Sequence, residues 1–369
     1  MIDLLLKAAR KRAPEGIKTL GQLQEHLQIA VKLEQSTIPP YLTALYSIKD
    51  GHNAESALLI RSVVMEEMLH IVLAANVLKA IGGTVELRVD KDTKYPVTLP
   101  DSDGILKIPL AKFSKDTLET FMRIEQPEKR GAPPQAHGYN TIAQFYAAIE
   151  EGLKTVCAGN RNFVENAPQV WPRQYYGATG IPIPVKDLDS ALTALREIVR
   201  QGEGAADTLY TSKRRTHLRK DGFELAHYYR FKEIYCERRY TATDAEKKMR
   251  DPKPTGPKLA VDWDAVHDVV PNPKASHFRP GSEARQKMDD FNRAYATLLQ
   301  KLQESLNNAP QDVHHCIGNM YELKYKAVEL MKISYTDVRE SLTRGAPKNG
   351  MLGPSFEYAA PAGSAASGA

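Results

Sequence analysis

With 369 residues, 42% hydrophobic and 26% charged, the chain can bury a substantial core and has the composition of a globular protein, not of a disordered or fibrous one. A formal net charge of +5 from 50 basic and 45 acidic residues, with no nucleic-acid motif behind it, predicts no nucleic-acid partner. Cys157, Cys236 and Cys316 are odd in number and widely spaced, which argues against a disulfide framework and against a cysteine metal cluster.

No run approaches the ~18 apolar residues that a membrane span needs. The apolar patch near the first residue is too short for a signal sequence, and its charges follow instead of preceding it. A cytoplasmic protein without a membrane partner is expected.

Helical periodicity begins at Leu20, with Thr19 as N-cap. Leu23, Leu27, Ala30, Glu34 and Ile38 share one stripe, so a glutamate stands where an apolar residue belongs. Pro39-Pro40 is expected to bend or interrupt this helix before it resumes to Ile48. A second helix over 54–81, stopped by Gly82-Gly83, carries the stripe Ile60, Val63, Glu67, His70, Ala74, Val77, Ile81. Glu67 and His70 thus take core positions, while Glu66 is turned about 100° away and is expected to be silent.

Residues 84–140 differ in character, with β-like pieces at 85–89 and 105–109, a helix near 114–125 and a Pro/Gly-rich loop. They suit the long crossover that joins two helix pairs of a bundle. Further helices are expected over 141–156, with Glu150 flanking the apolar face, and over 188–201, whose stripe of Leu192, Leu195 and Val199 reaches Glu203. A basic cluster from Lys213 to Lys220 reads as a solvated loop. The next helix, over 222–237, is expected to present Glu224, His227, Phe231 and Ile234 on one side. Beyond Tyr240, Pro252, Pro254, Pro257, Pro271 and Pro273 mark an irregular linker over 241–280. Segments 282–306 and 311–333 read as a helical hairpin within a C-terminal region of 281–358, and 359–369 as a disordered tail.

Two segments carry the chemistry: Glu67-Met68-Leu69-His70 and Glu224-Leu225-Ala226-His227. On a helix, residues three apart emerge on one face, so each Glu-x-x-His can offer a metal two ligands from rigid backbone. One such segment means little. Two on apolar stripes, matched to Glu34 on a third, call for cations, because a buried unpaired carboxylate costs several kcal/mol. Carboxylate-rich sites with two imidazoles favour iron, with manganese as the alternative, and four carboxylates balance two divalent ions. Glu34, Glu67, His70, Glu224 and His227 are the expected ligands. The sixth is Glu203 or Glu150: the first lies where the third bundle helix should be but between two glycines, the second is mid-helix but only flanks its apolar face. Tyr41 and Tyr228 are candidates for a redox role.

Leu33-Glu34-Gln35-Ser36-Thr37-Ile38-Pro39-Pro40-Tyr41-Leu42-Thr43-Ala44-Leu45-Tyr46-Ser47-Ile48, Glu66-Glu67-Met68-Leu69-His70, Gln201-Gly202-Glu203-Gly204 and Glu224-Leu225-Ala226-His227-Tyr228-Tyr229-Arg230-Phe231 together resemble the ferritin-like domain of the iminophenyl-pyruvate dimer synthase family. That family is related to the dimer-forming enzymes of violacein and rebeccamycin biosynthesis. Gly353-Pro354-Ser355-Phe356-Glu357-Tyr358 also looks like a family element. The resemblance implies an all-α fold: a ferritin-like four-helix bundle over 18–240, with 84–140 as a crossover insertion and a C-terminal helical hairpin. It favours Glu203 as a ligand, since Gln-Gly-Glu-Gly belongs to the family pattern. The activity implied is oxidative coupling of amino-acid-derived imines in secondary metabolism. The chain is far shorter than the violacein-type enzymes. The expectation is therefore a protein with two iron ions that uses dioxygen or peroxide to oxidise a small amino-acid-derived metabolite, with the crossover and the C-terminal hairpin as walls of its pocket. The rival is a metal-binding or storage protein without an organic substrate. Oligomeric state stays open.

Overall fold

The computed structural model describes residues 2–101, 104–126, 142–174, 180–202, 210–212, 224–246 and 251–359. They are predominantly helical: α1 (Ile2–Arg12), α2 (Leu20–Ser47), α3 (Ala54–Ala80), β1 (Val97–Asp101), β2 (Gly104–Ile108), α4 (Lys115–Ile124), α5 (Ile142–Val156), α6 (Leu188–Gly202), β3 (Tyr210–Ser212), β4 (Glu224–Leu225), α7 (His227–Cys236), α8 (Ala242–Glu246), α9 (Glu283–Asn308) and α10 (Cys316–Met331). The strands form two separate antiparallel pairs, β1 with β2 and β3 with β4.

Thr19 starts α2 through a capping box, its hydroxyl accepting from the Gln22 N–H while the Gln22 side chain accepts from the Thr19 N–H. The helix then runs unbroken through Pro39 and Pro40, so the interruption expected there is absent. α2 and α3 have 28 and 27 residues. At 1.5 Å per residue each is about 40 Å long, and the two pack side by side as the spine of the molecule.

Two shorter helix pairs cover this spine end to end. α4 and α7 meet it near Tyr41, whose ring packs against Phe121 at 4.5 Å and Phe231 at 5.2 Å between centroids. α5 and α6 cover the other end, where Phe145 stacks on His26 of α2 and α6 packs on α3. His26 and Tyr41 lie about 22 Å apart along the helix axis, and Glu34 sits midway, at the junction of the two pairs.

The segment expected as a crossover therefore contributes a bundle wall, α4, with Ser114 capping it through the Thr117 N–H. The expected helix over 222–237 begins only at His227, because Glu224 and Leu225 pair with β3. α9 and α10 form the expected hairpin, and one continuous apolar core joins it to the bundle. The irregular residues between are tied down: the His267 N–H donates to the Ser47 carbonyl and the Lys49 N–H to the Ala265 carbonyl. Among the described residues, no helix is long and apolar enough to cross a membrane.

Candidate metal centre

Five buried side chains converge at the junction. They are Glu34 from α2, Glu67 and His70 from α3, Glu125 at the C-cap of α4 and His227 at the first position of α7. They form two overlapping groups, Glu34/Glu67/His70 and Glu67/Glu125/His227, with the potential ligand atoms of each group within 4.8 Å of one another. Glu67 is common to both. His70 Nδ1 lies 3.3 Å from Glu34 Oε2 and 3.8 Å from Glu67 Oε1. His227 Nδ1 lies 2.9 Å from Glu67 Oε1 and 3.5 Å from Glu125 Oε2.

Each carboxylate is held by one oxygen and presents the other. The Tyr146 hydroxyl donates to Glu34 Oε1, the Thr37 hydroxyl to Glu67 Oε2 at 2.7 Å, and the Tyr41 hydroxyl to Glu125 Oε1 at 2.6 Å. The imidazoles follow the same rule. His70 Nε2 is 3.0 Å from Gln201 Oε1, and the Gln201 amide in turn donates to Glu197 Oε1 at 2.8 Å. His227 Nε2 is 2.8 Å from Glu66 Oε2, whose other oxygen accepts from Arg230 Nη2 at 2.9 Å. The buried Arg230 also donates to the Leu225 carbonyl and the Ser62 hydroxyl. Acceptors at both Nε2 positions make those nitrogens the donors, which leaves the Nδ1 lone pairs facing inward, the tautomer a metal requires. His227 Nδ1 is fully buried and makes no hydrogen bond, although it lies 2.9 Å from Glu67 Oε1 and 3.5 Å from Glu125 Oε2. An orphaned lone pair facing two carboxylates has the donor chemistry of a metal site.

The electrostatics agree. Burial, followed by the charges of Glu125 and Glu34, pushes Glu67 up to about 7. Burial alone would lower His70, but Glu34 and Glu67 outweigh it and raise the imidazole. At His227, burial is overcome by Glu125 and by the contacts with Glu66 and Glu67, which hold it well above its ordinary value. Burial would raise Glu125, but His227 and the Tyr41 hydroxyl hold it low. Protons and cations thus compete for the same buried lone pairs.

The cluster lines a cavity of about 30 Å³, to whose wall Leu33, Ile124, Ile198 and Gly202 also contribute. This is room for one or two waters. A Cβ on Gly202 would stand 3.2 Å from Glu125 Oε2, so a larger residue would press on that carboxylate.

Glu34, Glu67, His70 and His227 come together as the sequence predicts. Glu224 does not join them: in extended β4 its Oε1 lies 3.7 Å from Arg230 Nη2, outside both groups. Glu150 pairs with Arg196 at 3.4 Å, away from the centre, and Glu203 lies outside the described residues. Glu66, expected to face away, is fully buried, because α7 packs on that side of α3. Tyr228 is bonded to Asp251, at 3.2 Å, while Tyr41 touches the centre through Glu125. Glu125 was missed, although it extends the buried stripe of Thr117 and Phe121, the same sign that exposes Glu34. No described residue of the C-terminal hairpin lines the cavity.

A sequence family described as Ferritin-like matches residues 27–236. Dichlorochromopyrrolate synthase of Lentzea aerocolonigenes is 24% identical over 370 residues, covering 83% of this chain and 33% of that protein. 2-Imino-3-(indol-3-yl)propanoate dimerase of Chromobacterium violaceum is 28% identical over 233 residues, covering 54% of this chain and 23% of that protein. The chain thus spans a third or less of the length of these relatives. A solved structure of a ferritin-like protein from Caulobacter vibrioides superposes with a TM-score of 0.59 at 24% identity, covering 86% of this chain and 97% of that one. On its fold and the span of the match, the chain belongs to the ferritin-like family.

Proposed function

We propose that Glu34, Glu67, His70, Glu125 and His227 would hold two metal ions, iron by preference and manganese as substitute, and that the protein is an oxidase of a small amino-acid-derived metabolite. The observation that carries this reading is the buried, unbonded Nδ1 of His227, facing Glu67 and Glu125 while Nε2 is held by Glu66. Three carboxylates and two imidazoles suit hard or borderline first-row ions. Glu203, the residue after Gly202, completes the proposed ligand set, and Glu125 takes the place expected for Glu224.

When bound, a pair of redox-active ions supplies the path by which electrons pass from an organic molecule to dioxygen. The chain does the rest. Glu66 and Gln201 keep both imidazoles in the ligating tautomer, and Thr37, Tyr41 and Tyr146 fix the carboxylates. Leu33, Ile124 and Ile198 supply apolar wall beside the carboxylates. The name of one relative, 2-imino-3-(indol-3-yl)propanoate dimerase, supports coupling of two imine molecules as the reaction. Such a coupling removes two electrons and two protons, which dioxygen going to hydrogen peroxide, or peroxide going to water, takes up.

Metal analysis of anaerobically purified protein, followed by oxygen uptake with an arylpyruvate imine generated in place, tests the reading. About two ions per chain and oxygen consumed in proportion to imine are expected. Iron accumulating far beyond two per chain, with no imine consumed, would establish the storage reading instead.

A further inference from the structure

A second site lies on the opposite side of α3. Met65 and Met68, which project away from Glu67 and His70, form part of the floor of a cleft of about 670 Å³ between the α2–α3 turn and α10. Leu42, Leu45 and Val64 complete the floor, and Ile317, Met320 and Tyr321 of α10 form one wall. The volume falls in the range of sites that enclose a small organic molecule. Tyr321 is 63% exposed and Ile317 37%, so this wall offers apolar and aromatic surface with no protein covering it among the described residues.

The charges on the rim are one-sided. Arg61 of α3 and Lys324 of α10 both line the cleft, and neither makes a hydrogen bond or ion pair among the described residues. Lys326, two positions further along α10, is by contrast paired with Glu322 at 3.7 Å. Lys49 adds a third cation, its Nζ 3.4 Å from the Asp264 carbonyl, and Asp50 is the one carboxylate among the described lining residues. An apolar, sulfur-rich floor favours aromatic rings, and two uncommitted cations on facing helices favour one acidic group.

We propose that this cleft binds an amphipathic aromatic anion, its ring system on the methionine and leucine floor and its acidic group between Arg61 and Lys324. The site is separate from the metal centre and does not depend on metal being bound.

Fluorescence titration of the full chain with 8-anilinonaphthalene-1-sulfonate tests this, with N-phenyl-1-naphthylamine as the uncharged counterpart and indole-3-acetate as competitor. One saturable site displaced by indole-3-acetate is expected. Arg61→Gln and Lys324→Gln should each weaken the anionic probe about two- to fivefold, and together roughly tenfold, with the neutral probe changed less than about twofold. Raising salt from about 0.05 to about 0.5 M should weaken only the anion. Unchanged binding of the anionic probe to the double variant, or an equal loss of both probes, would overturn the assignment. So would loss of the site with rising protein concentration, since a second copy of the chain would then be its occupant.

Discussion

Glu67-Met68-Leu69-His70 lies inside the unbroken α3, whereas Glu224-Leu225-Ala226-His227 straddles a strand and the first residue of α7. Within α3 the three-residue spacing does what helical geometry demands, and both side chains enter the centre. In the second segment Ala226 is an extended N-cap with φ −62° and ψ 159°, so Glu224 and His227 share no helical face. His227 reaches the centre and Glu224 turns toward Arg230. The missing carboxylate comes from Glu125, on a helix earlier in the chain. A spacing motif is thus a statement about side chains only where the backbone between them is regular.

Metal content of paired variants breaks or sharpens this contrast most directly. Glu67→Gln removes the carboxylate common to both groups and should take bound metal from about two ions per chain toward none, while Glu224→Gln should keep nearly all of it. Elemental analysis decides, and the reverse ranking would sink the assignment. Glu125→Gln should empty one position only, leaving roughly half the metal, and Glu34→Gln the other.

Arg230→Met tests the support behind His227. It removes the guanidinium from the buried Glu66 carboxylate and leaves His227 beside it, so unfolding of the metal-free protein by denaturant should show a loss of about 3 kcal/mol. Glu66→Gln is milder. It weakens the acceptor at His227 Nε2, and metal affinity measured by competition with a chelator should fall about 10- to 100-fold, in place of the silence expected from its helical angle.

Acid should release the metal gradually. Glu67 holds its proton up to about 7, and His70 and His227 are raised above the ordinary histidine value, so each must give up a proton to ligate. Affinity therefore rises with pH through neutrality and falls below it, by about tenfold per pH unit for each proton displaced. A titration at several pH values that showed no proton release would contradict this. The smallest effect belongs to Glu150→Gln, which removes only its pair with Arg196 and should change stability by less than about 1 kcal/mol and metal content not at all.

What the amino-acid order determined by itself was local. The cap at Thr19, the span of the two long helices, and the placing of Glu34, Glu67 and His70 on buried stripes follow from periodicity and capping, which act over a few residues. The hairpin of α9 and α10 follows from the same signal. Tertiary structure decided the rest. α2 passes through two prolines because its neighbours along the spine hold it, and Glu66 is buried because α7 lies against a second side of α3. Glu224 left the helix for a strand because β3 supplied a partner. Glu125 entered the centre because α4 and α7 pair at the level where α5 and α6 end. Each of these depends on contacts between residues far apart in the chain, and local periodicity carries no information about which distant surface will be present to cover a face.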